Sequence, residues 1–390
     1  MAGFARFSSS LAVAGMVAVL AAGCVQEKPG VTGTTSLAVT LNDPADPGSF
    51  ENRLQFDSRD VTVSIEALDA QGQLDTSVTK SLDVYVHFLG SLTPKLGQLP
   101  LTTVQMTNGK TGNILISLPP SYGPTFLWVE DTEGDNPSYA TGTSPTLWYR
   151  NPYLEDISRP VDEMALDALE RSPLEEKQVL VNTSRYGDSG RLVVTGVYAQ
   201  GYTLSDVNCA DANGTPPCVT GDYDHVFVFS FSRPEDQDRH PIQVGQQIDQ
   251  LTGAISEFNG LTEVNFPDSI VNEAAPNPAM VPAPIQIQPG WLTTKYEMER
   301  VEEALVSVVN AEVCPLDDDY DTYSQWKLDV GLGCGTPINV ISKTVAPDFD
   351  PASYTGMVLP EVVGTLRPVN IGSFNVWIIY PRDANDITTP

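Results

Sequence analysis

Basic residues are scarce in this chain. Its 390 residues include 21 Lys and Arg against 50 Asp and Glu, a formal net charge of −29. Affinity for a phosphate backbone comes largely from Lys and Arg displacing counterions, and adhesion to anionic headgroups needs basic clusters. Nucleic acid and a charged lipid surface are therefore not the expected partners. Histidine is scarcer still. His87, His225 and His240 are the whole set, and they form neither a His-Asn-His cluster nor a His-x-His pair, which argues against metal-nuclease chemistry. No Cys-x-x-Cys occurs among the five cysteines, and their spacings are long and irregular, which argues against a zinc site. The apolar run Leu11 to Leu20 falls well short of the about 20 residues that cross a bilayer.

That run is instead the middle of a three-part secretory signal: Arg6 makes the start basic, and small residues close it at Leu20-Ala21-Ala22-Gly23-Cys24. An ending in Ala-Gly-Cys resembles the lipobox of bacterial lipoproteins, with Ala21 where that family more often has leucine. The resemblance implies cleavage before Cys24 and lipidation of its sulfur. It also implies a cell-envelope address, with the membrane reached through an N-terminal lipid. Val25 follows the cysteine, where an aspartate often marks inner-membrane retention, so the outer membrane is the expected destination. From Cys24 on there are 20 basic and 50 acidic residues, a net charge of −30. Membrane association must then come from the lipid rather than from charge. Residues 25–35 read as a short polar tether.

Setting Cys24 aside leaves Cys209, Cys218, Cys314 and Cys334, an even number in two local pairs. In an oxidising space these are expected as disulfides Cys209–Cys218 and Cys314–Cys334.

Hydrophobic residues make up 41% of the sequence, enough to build real cores. From Ser36 onward, period-two runs alternate with turn signals: 36–41, 61–68, 82–90, 113–119 and 125–131. Residues 36–157 are expected to form an immunoglobulin-like β-sandwich, although no Cys…Trp…Cys pattern accompanies it. Residues 158–189 read as a linker with a short helix over 161–172, bounded by Pro160 and Pro173.

The rest repeats. Segments 192–204, 225–231 and 244–267 are followed by 304–314, 326–331 and 359–381. Both copies end in strand, glycine, strand, glycine-bearing turn, strand and proline, with Gly253, Gly260 and Pro267 answering Gly364, Gly372 and Pro381. Each copy is read as holding its cysteine pair between its first and second strands.

Gly364, Leu366, Pro381, Arg382, Asp386 and Ile387 make the second copy resemble the OB-fold-like module attached to secreted bacterial nucleases and other surface proteins. Gly253, Ile255, Glu263 and Pro267 carry the likeness in the first copy, which lacks the Arg and Asp-Ile ending. The resemblance implies two small closed barrels, at 190–290 and 291–390, and carries over no active site. The fold class expected is thus all-β: a sandwich followed by two OB-like barrels. OB barrels often bind single strands through basic grooves and stacking aromatics. Here Trp326, Phe374, Trp377 and Tyr380 are present without the charge, and the last strand is largely apolar on both faces, which suits a core.

Gly187-Asp188-Ser189-Gly190 is similar to the serine environment of trypsin-like proteases. Arg191 stands where those have a second glycine, and no histidine motif accompanies it, so a surface loop is the better reading. Two acidic stretches are candidate Ca²⁺ sites: Glu130, Asp131, Glu133 and Asp135, and Asp317, Asp318, Asp319 and Asp321. Crowded carboxylates suit a cation that takes six to eight oxygens, but neither stretch has EF-hand spacing, and a solvated turn is the better reading of each, because acidic runs usually serve only solubility. No other cofactor is expected. The function expected is non-catalytic: an accessory, scaffold or adhesive subunit that holds a protein or glycan. The rival is a secreted hydrolase or nuclease-accessory subunit whose site is too dispersed to form a motif.

Overall fold

The computed structural model describes residue 34 and residues 36–54, 59–88, 99–131, 141–160, 171–371 and 374–390. Cys24, the signal, most of the tether, Glu133, Asp135, Gly372 and helix candidate positions 161–170 lie outside the described residues.

The protein is all-β, with three short α-helices among the described residues. The first unit pairs β1 (Ser36–Asp43), β2 (Asp60–Leu68) and β5 (Ile114–Ser117) in one sheet. A second sheet has the order β4 (Thr102–Met106), β3 (Lys80–Phe88), β6 (Pro124–Asp131) and β7 (Thr141–Thr143), with β8 (Leu147–Trp148) also pairing β6. Alternation is the cause: Val61, Val63, Ile65 and Ala67 on β2 and Leu127 and Val129 on β6 turn inward and are fully buried. They meet in one core between the sheets. This is the sandwich expected from the sequence, with the fourth strand on the sheet of the third.

The two repeat copies are both five-stranded Greek-key barrels of one topology. In the first, β10 (Gly190–Tyr198), β11 (Gly201–Asn208), β12 (His225–Phe229), β14 (Leu261–Val271) and β13 (Ile248–Phe258) lie in that order, with β12 and β14 parallel. Val193 bridges to Gln247 and closes the ring. In the second, β16 (Leu305–Val313), β17 (Gln325–Asp329), β18 (Ile338–Ile341), β20 (Phe374–Tyr380) and β19 (Val358–Ile371) repeat the order, β18 and β20 are parallel, and β16 pairs β19.

Two borders differ from the sequence reading. Helix α1 (Leu154–Ser158) buries Leu154 and Ile157 in the first barrel's core, and β9 (Gln178–Leu180), within the expected linker, adds to β13 at that barrel's sheet edge. Strand β15 (Ile285–Gln286) pairs β16, so the second barrel starts before residue 291. A short helix, α2 (Lys295–Glu299), follows it; α3 (Asp318–Tyr323) lies between β16 and β17, and β21 (Ile387–Thr388) pairs β19 at the end of the sequence.

The repeat is real, but its strands were phased one apart in the sequence. Segment 192–204 is a hairpin, β10 and β11, turning at Ala199-Gln200, so 225–231 is a third strand while 326–331 is a second. The disulfides form as expected, Cys209–Cys218 and Cys314–Cys334, but not at equivalent places. The first staples the loop between the second and third strands. The second ties the end of the first strand to the turn after the second.

Candidate functional site

The barrels meet across a seam that is unusually polar for a buried interface. Glu303 is wholly buried, with φ of 60° in the left-handed region, and its N–H donates to Leu366 O at 2.8 Å. Its carboxyl lies 2.7 Å from Arg367 Nε, a charge contact without hydrogen-bond alignment. The Arg367 guanidinium is held over the rings of Phe227, Tyr198 and Tyr380, at 4.1, 4.3 and 5.1 Å from their centres. Glu263 reaches the same guanidinium's field from β14. Glu302 is buried beside it and accepts from Thr262 N–H at 2.9 Å.

Burial opposes charge on these carboxyls more than Arg367 favours it, and pushes Glu263 and Glu303 each up to about 7. Glu302 is raised too, by burial and then by the neighbouring Glu299. Further contacts close the seam: Tyr198 OH with Thr365 Oγ1 at 2.5 Å, and Asn370 N–H to Asn259 O at 2.7 Å. Such a seam couples two barrels and holds protons. With Glu303 fully buried, it offers a substrate no access to that carboxyl.

One Ser–His contact exists. Ser205 Oγ lies 2.8 Å from His225 Nδ1, but both are buried, and burial pushes the imidazole down to about 3. It packs the barrel rather than activating a nucleophile. Ser189 of the Gly-Asp-Ser-Gly loop bonds Asn208 Oδ1 at 2.7 Å, in keeping with a surface loop.

Among the described residues, the candidate calcium ligands are not gathered. Glu130 and Asp131 are neighbours on a strand and face opposite ways. Trp128 Nε1 donates to Glu130 at 3.2 Å, and Lys80 Nζ lies 2.6 Å from Asp131. In the other loop, Asp317 caps α3 by accepting from Asp319 N–H, and Lys327 Nζ bonds both Asp317 and Asp319. That ammonium sits where a cation would. Among the described residues, no group of three or more His, Cys, Asp and Glu is arranged to hold a metal.

The residues carried from the OB resemblance prove to be barrel carpentry. Gly253 and Gly364 occupy equivalent fourth strands, and a Cβ on either would collide with the fifth: 2.4 Å from Val264 Cγ1 in one, 2.6 Å from the Tyr380 backbone in the other. Arg382 gives its N–H, Nε and Nη2 to Asp386 at 2.8, 2.9 and 2.7 Å, which latches the end of the polypeptide, and Ile387 then enters the core. Ile255, Leu366, Trp326 and Trp377 are buried.

Two surfaces went unnoticed in the sequence. On the first barrel an aromatic ladder climbs out of the fold: Phe227, Phe229, Phe231 and Phe266, with ring centres 6.4, 4.5 and 5.0 Å apart. Phe231 is 51% and Phe266 71% exposed, and both sit at positive φ, 59° and 51°, rare for bulky residues. The other is a cleft of about 300 Å³ between the sandwich and the first barrel, lined by Phe50, Arg53, Tyr122 and Trp148 and by β9. The first was hidden because Phe231 and Phe266 are 35 residues apart in the sequence.

No protein-family model matches this chain, and no curated protein does. Among solved structures, dimeric latent PorU from Porphyromonas gingivalis is similar at 10% identity, over 90% of this chain and 34% of that chain, with a TM-score of 0.20. The present sequence thus spans about a third of that protein's length, and a likeness this slight carries no argument about fold or function.

Proposed function

We propose that this protein is a non-catalytic binding or scaffold protein of the bacterial cell envelope. A lipid on Cys24 holds it at the outer membrane, and the first barrel engages a protein partner. The observation that carries this reading is the exposed ladder ending in Phe231 and Phe266. Large aromatic rings are costly to leave in water and are the commonest anchors of protein interfaces. Here each is held outward by a backbone conformation that a bulky residue adopts only at a cost, which suits a preformed contact surface. The two disulfides suit an oxidising space outside the cytoplasm. Among the described residues, no helix is long and apolar enough to cross a membrane.

Crosslinking in intact cells, followed by identification of the attached protein, tests the reading. The wild-type protein is expected in the membrane fraction with a discrete adduct. Phe231→Ser with Phe266→Ser should abolish the adduct while leaving the protein folded and anchored. Cys24→Ser should release it from membranes or leave its precursor uncut. An adduct untouched by the double substitution refutes the surface, and normal processing with full membrane retention of Cys24→Ser refutes the anchor.

A further inference from the structure

The cleft between sandwich and first barrel lies apart from the Phe231 and Phe266 surface, and its two walls differ in kind. One wall is a strand edge. β9 ends its sheet, pairing β13 on one side, and among the described residues no strand pairs the other side. Val181 N–H donates to Leu251 O and Lys177 O accepts from Ile255 N–H, so the odd-numbered residues spend their backbone groups on β13. By the two-residue alternation of an antiparallel ladder, the N–H and C=O of Gln178 and Leu180 point the opposite way, into the cleft. Two residues on, Asn182 N–H already donates outward to Pro152 O at 2.6 Å. The outer edge is therefore oriented to accept a strand, is closed at one end and is open over Gln178 to Leu180.

The facing wall is aromatic and carries a cation. Phe50 and Trp148 meet edge to face at 6.5 Å, and Tyr122 lines the same space. The Arg53 guanidinium lies 4.8 Å from the Phe50 ring centre and 5.2 Å from that of Trp148. It donates through Nε to Phe50 O at 2.9 Å and more weakly to Tyr149 O at 3.4 Å. Among the described residues no carboxylate lies within ion-pair distance of it. Glu51 lies in its field without contacting it; in a protein with 50 acidic residues, an arginine held over two rings and in ion-pair contact with no carboxylate among the described residues is complementary to an anion from outside.

The geometry points to this cleft as the docking site of an extended peptide from a partner protein. The peptide adds as a strand to the outer edge of β9 and sets a carboxylate, from an acidic side chain or its own C-terminus, on Arg53. Backbone bonds to Gln178 and Leu180 would supply affinity, while the ring slots and Arg53 would supply selectivity. An unpaired edge backed by a charged aromatic wall is what such recognition needs, and it also keeps the edge from pairing indiscriminately.

Selection of random eight-residue peptides with free C-termini by the purified full-length protein tests the site, with affinities of the recovered peptides read by fluorescence anisotropy. Wild type is expected to enrich peptides with an acidic residue or terminal carboxylate at one fixed register. Amidating the C-terminus separates the two carboxylate sources. Arg53→Glu should weaken the best peptide at least tenfold and, reselected, should favour Lys or Arg at that register. N-methylation of alternate peptide amides, which leaves the protein untouched, should abolish binding in one phase and spare it in the other. Failure to enrich any peptide overturns the proposal. So does enrichment indifferent to Arg53→Glu or to N-methylation phase, or retention of uronic-acid sugars on a glycan array in place of peptides.

Discussion

Gly364 shows how a single residue can be required by its neighbours rather than by its own backbone. Any side group there would put its Cβ 2.6 Å from the backbone carbonyl of Tyr380, whose position is fixed by the β19–β20 ladder. Gly364→Ala should therefore cost about 1 to 3 kcal/mol, as overpacking in a barrel wall does, read as a lower urea midpoint with the slope unchanged. Gly112 has nothing near its would-be Cβ, so Gly112→Ala should have little effect. The pairing of Gly253 with Gly364 was legible in the sequence because both recur at one place in the repeat. Glu303 was not legible. Its partner Arg367 and the Tyr198 and Phe227 rings under that guanidinium, like the neighbouring Glu263, all lie 40 or more positions away in the sequence.

Among the elements, strands were the most legible, because burial of alternate residues on β2, β3 and β6 leaves a period-two trace in the sequence. Hairpins were less so. The turn between β10 and β11 is only Ala199-Gln200, with no Pro, Asn or Asp to mark it, and the two strands read as one run. With the hairpin counted as two strands, the disulfides fall at different places in the two barrels, while the pairs themselves are those the sequence implies. Loop length sets their expected worth. Cys314–Cys334 closes a separation of 20 residues and Cys209–Cys218 one of 9. Removing the wider bridge as a double alanine should cost about 3.3 kcal/mol and the narrower about 0.7 kcal/mol less, by the loop-entropy relation. Urea unfolding of the two variants checks the order. A larger loss at Cys209–Cys218 would mean that its packing against Val193, Val207 and Met280 outweighs loop entropy.

For the whole molecule, the inter-barrel seam makes stability depend on pH. Glu263 and Glu303 rise from an ordinary 4.5 to about 7 in the fold, and Asp206, buried in the first barrel, rises from 3.8 to about 7. The folded state binds these protons more tightly than the unfolded state does. Their contribution is therefore full below the unfolded values and is lost as pH rises through about 7. For a fully buried carboxyl a shift of this size is worth on the order of 3 kcal/mol. His225 works the other way: held neutral down to about 3, it weakens the fold as pH falls below 6.5. One imidazole opposes three carboxyls, so the thermal midpoint should be several degrees higher at pH 6 than at pH 8. Glu303→Gln, neutral at both values, should shrink that difference mainly by raising the midpoint at pH 8. Scanning calorimetry at the two pH values decides it; a midpoint that is flat or lower at pH 6 would count against proton storage in the seam.

Period-two patterning, turn residues, an even set of late cysteines and a recurring strand-glycine-strand ending were enough to determine an all-β protein with two disulfides and two related barrels, because each is a local or regularly spaced constraint that leaves its mark on neighbouring residues. What tertiary structure alone decided is where polar and aromatic groups end up. It buried Glu302 and Glu303 between barrels, set Lys327 among the aspartates of a candidate cation loop, raised Phe231 and Phe266 to the surface together, and left the edge of β9 open opposite Arg53. Each of those outcomes depends on distant segments meeting, and the dielectric, partners and exposure of a side group belong to that meeting rather than to the residue.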